Sequence, residues 1–229
     1  MRRWIRIVSC QGLRRLGLAA ALVVAASPAA ALPVVLDLVV VAPTPALLEP
    51  GSSLFVDIAV SGLVAGDAPS LTAFELDLGF DDTAIDFVAL QFLPFGSGVS
   101  LVNGSGQPCT LANLDGVCDV LLDSLASVGN VNLAAASLVA PADVNAAQPA
   151  SGVLASLEFL VQAPGTTTLA FTQIALSGTI SGTSQGTLAA SASALGLSVV
   201  PEPATLMLLS SVALALRRSA RRSGRPALR

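Results

Sequence analysis

The sequence predicts an all-β chain folded as an antiparallel jelly-roll sandwich, and three observations lead there. Through the middle of the chain apolar residues alternate with polar ones instead of recurring every three or four positions, which is the period of strands. Turn clusters such as "EPGSS", "GDAPS", "GSGQP" and "QAPGT" separate most of these runs. No stretch between them carries a convincing amphipathic-helix pattern.

The strands are predicted in order as follows. "SLFVDIAVSG" puts Leu54, Val56, Ile58 and Val60 on one face. "LTAFELDLGF" does the same with Phe74, Leu76, Leu78 and Phe80, so Glu75 and Asp77 belong to the opposite, solvated face. Further strands are expected at 34–42, 85–92, 99–102, 118–125, 129–134, 153–161 and 167–173. The Ala- and Ser-rich segment 187–199 reads either as a weak final strand or as a linker. About 170 residues lie between the two chain ends, enough for one domain with a substantial core.

Charge is segregated along the chain. All eleven basic residues are Arg, at 2, 3, 6, 14 and 15 and again at 217, 218, 221, 222, 225 and 229. Fourteen of the fifteen acids fall between Leu32 and Val200, where there is no cationic side chain. So anionic a body repels nucleic acid. With no His, Lys or Tyr in the chain, a Ser-His-Asp triad, a His-containing metal site and an Arg phosphate clamp are all excluded from the body, and no enzymatic activity is expected.

Carboxylates are what remains. Asp77, Asp81, Asp82 and Asp86 cluster near one strand end and offer the makings of a glycosidase acid pair, and solvated acids are the commoner use of such residues. No cofactor is expected, but calcium is the cation these acids suit. "DDTAID" offers Asp81, Asp82 and Asp86, and "LDGVCDVLLD" offers Asp115 and Asp119, with a solvated surface as the alternative. Cys109 and Cys118 form an isolated pair; in an exported chain that reads as a disulfide, with two buried thiols or a redox pair as the alternatives. Sugar binding ordinarily needs exposed Trp or Tyr, and the body has neither. Phe74, Phe80, Phe87, Phe159 and Phe171 sit where core residues belong, whereas Phe92 and Phe95 either pack under a loop or face solvent.

The two ends read as export and sorting segments. A basic stretch, the apolar run Leu16–Ala26 and "SPAAA" make residues 1–31 a secretory signal helix, cut by signal peptidase after Ala31. The body then spans 32–195, and 196–229 is a linker and tail. In that tail Pro201-Glu202-Pro203 precedes an apolar run, 204–216, and an Arg cluster, 217–229. About thirteen apolar residues at ~1.5 Å each reach about 20 Å, short of a ~30 Å hydrocarbon core, so a transient signal fits better than a permanent span.

This arrangement resembles the PEP-CTERM sorting signal of Gram-negative, exopolysaccharide-producing bacteria. The resemblance implies an exosortase-type membrane protease as partner, transient inner-membrane association through a short hydrophobic helix, and a mature form at the cell surface or outside. Arg217, Arg218, Arg221 and Arg222 would be the charges that stall export. "LTAFELDLGFDDTAIDFVAL", "ASGVLASLEFLVQAPGTTTLAFTQIAL" and "EPGSSLFVDIAVSG" resemble a cohesin-type domain, the jelly-roll module of cellulosome scaffolds, related to some carbohydrate-binding modules. Asp81-Asp82 stands where that pattern often has Asp-Pro, and "FLPFGSGVSLVNGSGQPCTLANLDGVC" is an insertion relative to it. The resemblance implies the fold and a binding or adhesive role toward exopolysaccharide or another surface protein. It does not carry dockerin binding.

Overall fold

The structure, a computed structural model, describes residues 33–43, 48–96 and 98–200. The expected signal helix, its cleavage point Ala31, Pro201-Glu202-Pro203, the C-terminal hydrophobic helix and the Arg cluster lie outside the described residues. Among the described residues eleven strands and one short helix follow in order. They are β1 (Val34–Ala42), β2 (Ser53–Ser61), β3 (Ser70–Gly79), β4 (Ile85–Phe92), β5 (Val120–Ser127) and β6 (Asn130–Ser137), then α1 (Pro141–Ala147). After the helix come β7 (Gly152–Val161), β8 (Gly165–Ser181), β9 (Ser184–Thr187), β10 (Ala190–Ala192) and β11 (Leu195–Val199). They build two sheets, β10-β1-β2-β7-β4 and β11-β8-β3-β6-β5, with β9 paired to β8.

Alternation fixes which side of each strand is buried. Leu36, Leu54, Val56 and Ile58 of the first sheet meet Leu76, Leu78, Leu133 and Leu169 of the second, and all eight have no exposed surface. Phe159 lies at the centre, with the rings of Phe80 and Phe87 edge-on to it at 5.2 and 5.9 Å. Such tilted contacts add to area burial because a ring edge is positive and its face negative. All-β sandwich architecture is therefore as expected from the sequence.

Several local expectations change. One pairing is parallel: Val34, Val35 and Leu36 of β1 run alongside Ala190, Ser191 and Ala192 of β10. The cause is a chain that switches sheets. The Leu188 N–H donates to Leu176 in the second sheet, while the next carbonyl, Ala189, accepts from Val34 in the first. The chain then crosses back, and β11 pairs with β8 from Leu195 to Val199. The sandwich thus continues past the expected boundary at 195, and the segment 187–199 is neither one strand nor a linker.

Residues 99–102 form no strand. Their backbone is held by loop partners: the Ser100 N–H by the Asp119 carboxylate at 2.8 Å, and the Leu101 carbonyl by the Cys109 N–H at 3.0 Å. Expected strand 167–173 lies in the first half of the seventeen-residue β8, Gly165–Ser181. Near its end Gly178 is there for close approach: a Cβ would run into the Ser70 carbonyl oxygen.

Helix α1 is the element with no sequence forecast. Pro141 suits its first turn, where no N–H is needed. Its buried anchors are polar, Asn145 and the following Gln148, so it shows no apolar period. Asn145 Oδ1 accepts from the Ser70 and Thr179 hydroxyls at 2.5 and 2.6 Å, and its Nδ2 donates to the Gly182 carbonyl at 2.7 Å. Gln148 Oε1 accepts the Leu71 N–H at 2.6 Å. These bonds clamp the helix onto the paired ends of β3 and β8. Asn145→Ala leaves two buried hydroxyls without their acceptor, and a loss of about 1–3 kcal/mol in urea unfolding is expected. An unchanged midpoint would show that the clamp contributes nothing.

Candidate functional site

The outer face of the β8-β3-β6-β5 sheet can be laid out from register alone. Asp123 stands opposite Ala134, Ala134 opposite Glu75, and Glu75 opposite Ala175. The row on one side is Leu121, Ala136, Ala73 and Ser177; the row on the other is Leu125, Asn132, Asp77 and Gln173. Partners on these strands alternate with the buried Leu76, Leu78, Val131 and Leu133, so all three rows face outward. Ala73, Ala134, Ala136 and Ala175 make a low floor, and together with Glu75, Asp123 and Leu121 they line a shallow depression.

Strands are ~4.8 Å apart, so Asp123 and Glu75 stand about 10 Å apart across Ala134. Both carboxylates lie on exposed residues, with no cationic side chain in the body to neutralise them. Asp77, one row along, accepts from Asn132 Nδ2 at 2.6 Å. Leu125 closes the edge at 70% exposure. The face is thus anionic, apolar at its β5 margin, and free of bulky side chains at its centre. Of its residues, sequence alternation singled out only Glu75 and Asp77 as solvent-facing. The register that brings Asp123 and the alanines beside them is a long-range property no local pattern carries.

Three of the five candidate cation ligands accept hydrogen bonds from nearby donors. Asp81 Oδ1 accepts the Thr83 hydroxyl at 2.6 Å and the Thr83 N–H at 3.0 Å, and these bonds hold its carboxyl below the ordinary value. Asp115 is lowered as well, first by the Gly104 N–H at 2.8 Å and then by that of Val117 at 3.0 Å. Asp119 receives the Ser100 N–H. Asp82 and Asp86 are exposed beside this turn. Among the described residues no three acids or cysteines converge as a metal site. Asp81 is shifted the wrong way for a general acid, and Asp77 is engaged with Asn132.

The inserted loop is tied from within. Cys109 and Cys118 form a disulfide with Cα atoms 5.8 Å apart, and both are buried. Asn103 Oδ1 accepts from Ser105 and Gln107, while Asn113 Oδ1 accepts the Thr110 N–H and hydroxyl. These side-chain acceptors replace the ladder that a strand would have supplied.

Phe92 and Phe95 pack against the core, as do Phe74, Phe80, Phe87 and Phe171. The exposed ring is Phe55, 37% exposed on the outer face of the first sheet. Its signal was present, since Leu54 and Val56 point inward and the residue between them cannot. Glu158 lies directly across from it and accepts the Ser53 hydroxyl at 2.8 Å.

No protein-family model matches the chain, and no curated protein matches it. Among solved structures the sandwich is similar to cohesin modules. The seventh ScaB type I cohesin of Pseudobacteroides cellulosolvens is 14% identical, with 74% of this chain and 93% of that one covered and a TM-score of 0.49. A type II cohesin domain from the Acetivibrio cellulolyticus cellulosome is 13% identical over 72% and 95%, also at 0.49. A Clostridium thermocellum cohesin solved in complex with a dockerin is 8% identical over 74% and 100%, again at 0.49. Identities this low do not allow ligand-contacting residues to be paired position by position.

Two outcomes follow from the loop. Intact-mass measurement with and without reductant is expected to differ by two hydrogens; two thiols alkylated without reduction would contradict the disulfide. Asp115→Asn is expected to destabilise the protein at neutral pH. Because the folded carboxyl titrates below its ordinary 3.8, that contribution is present above 3.8 and is lost as pH falls through the lowered folded value. Melting scans from pH 7 to 2 are expected to show the two proteins converging at the acid end, and a gap of constant size would refute this.

Proposed function

We propose that this chain is an exported, non-enzymatic binding protein of the cell surface or extracellular matrix, and that its outer β8-β3-β6-β5 face takes a basic protein partner. One observation carries the reading: Asp123 and Glu75 flank the alanine floor, and the body has no cation of its own to occupy them. A Lys or Arg seated above Ala134 gains two carboxylates at once, and an apolar neighbour of that residue meets Leu121 or Leu125. Complementary charge of this kind sets association rate and specificity more than area does.

The sorting route is part of the same proposal. The PEP-CTERM-like tail would hold a precursor in the inner membrane of a Gram-negative cell, with Arg217, Arg218, Arg221 and Arg222 inside and the body outside. An exosortase-type protease would then cut near Pro201-Glu202-Pro203, as signal peptidase cuts after Ala31. What supports this is the order of the tail, in which Pro201-Glu202-Pro203 is followed by the apolar run 204–216 and the Arg cluster 217–229.

A second reading, recognition of exopolysaccharide, is favoured by Phe55, the one Phe among the described residues that is more than a third exposed. Its ring beside Glu158 gives an apolar platform next to a hydrogen-bonding group.

Two experiments test these readings. The mature protein, immobilised and offered the extracellular fraction of the producing cells, is expected to retain a basic protein. Glu75→Gln with Asp123→Asn is expected to weaken that binding at least tenfold and to flatten its salt dependence. Retention of polysaccharide, lost in Phe55→Ala and kept in the double variant, would favour the second reading. For sorting, mass spectrometry of the mature C-terminus is expected to find an end near 201–203, and Glu202→Ala to accumulate a membrane-held precursor. A mature protein that keeps "LMLLSSVALALRR" in cells possessing the protease would refute the route.

A further inference from the structure

The two sheets do not fill the space between them at one end. A cavity of about 80 Å³ lies where the loop after β4 and helix α1 cover the sandwich. Its walls are Phe74, Leu122 and Leu154 from the strands and Phe92, Phe95 and Val144 from β4, the loop and the helix. The reason is visible in β6. Sheets of a sandwich stand ~10 Å apart and need large inward side chains to meet. Val131 and Leu133 supply them, but the next inward position is Ala135, set by register between Phe74 and Leu122. Ala147 at the end of the helix, also small, is among the lining residues.

The lining has three polar residues, and two of them are already engaged. Thr72 donates its hydroxyl to the Ser177 carbonyl, and the Ser137 hydroxyl oxygen accepts the Val139 N–H. The third, Asp143, is exposed and marks the mouth. A lining this apolar gives water few partners, so an apolar group that displaces it is favoured. One water-sized group needs about 10–15 Å³ of such space, so the cavity has room for a short alkyl segment.

We propose that this cavity is a binding site for the end of an alkyl chain, three or four carbons deep, carried by an uncharged or cationic amphiphile whose polar part leaves past Asp143. The charge preference follows from the surroundings. Asp143 stands at the mouth, and the body holds no Lys, Arg or His to neutralise a carboxylate or phosphate there. An anionic head therefore meets only repulsion, whereas an ammonium gains a partner and a hydroxyl meets neither effect.

The test uses the purified exported protein with isotope-labelled Leu and Val methyl groups, titrated with 1-butanol, n-butylamine and sodium butyrate at constant ionic strength. Saturable shifts at Leu122, Val144 and Leu154 are expected with butanol and butylamine, with butyrate binding at least fivefold more weakly than butylamine. Asp143→Asn, an exposed change, is expected to bring that ratio close to one while leaving butanol unaltered. Ala135→Leu fills the space and is expected to abolish all three shifts. Should that variant fail to fold, the Asp143→Asn ratio decides alone. Absence of saturable shifts in the parent, butyrate binding equal to butylamine, or a ratio unmoved by Asp143→Asn would each overturn the proposal.

Discussion

The absence of any cationic side chain between Arg15 and Arg217 is the constraint on which the rest of the body depends. A carboxylate in such a chain cannot be buried against a partner of opposite charge, and burying it alone is prohibitive. Every acid must therefore face water or receive hydrogen bonds from neutral donors. Asp81, Asp115 and Asp119 take the second course and in doing so tie turns and the inserted loop. Glu75 and Asp123 take the first and define an anionic outer face. No acid reaches the interior, where the buried polar residues are Ser, Thr, Asn and Gln.

That interior has two kinds of chemistry. Most of it is aliphatic, organised around Phe159, and holds the sheets by area burial. At one end it turns polar: Ser70, Thr179 and Asn145 meet in a triangle whose three edges share two hydroxyl hydrogens, with the third hydroxyl-to-hydroxyl contact at 2.5 Å. Such a cluster specifies position more than it adds stability, since any displacement strands a buried group. It seats α1, and α1 in turn covers the cavity left by Ala135. The helix, the cavity and the loop behind it are thus one construction at one end of the sandwich.

Much of this was legible in the sequence, for reasons that differ by element. Leu54, Val56, Ile58 and Val60 announce β2 because burial on one face imposes period two. The bounds 34–42 and 85–92 are met by β1 and β4, each flanked by turn residues. Cys109 and Cys118 were readable as a pair because no other cysteine of the body competes. Helix α1 was not, because its anchors are polar. The parallel strand β10 was not, because three residues that change sheets carry no period. Nor was the row Asp123, Ala134, Glu75 and Ala175, which exists only through pairing of residues up to a hundred positions apart. Nor could the sequence show that Asp81, Asp115 and Asp119 accept hydrogen bonds from loop donors.

The central claim is that the acids of this body serve as solvated surface and loop ties, repelling one another with no internal counter-charge. Thermal melting at matched ionic strength in Na⁺, Mg²⁺ and Ca²⁺ tests it most directly. The account expects the melting temperature to rise with ionic strength and the three curves to coincide. A calcium curve standing clearly above the other two would reveal a specific cation site and contradict it.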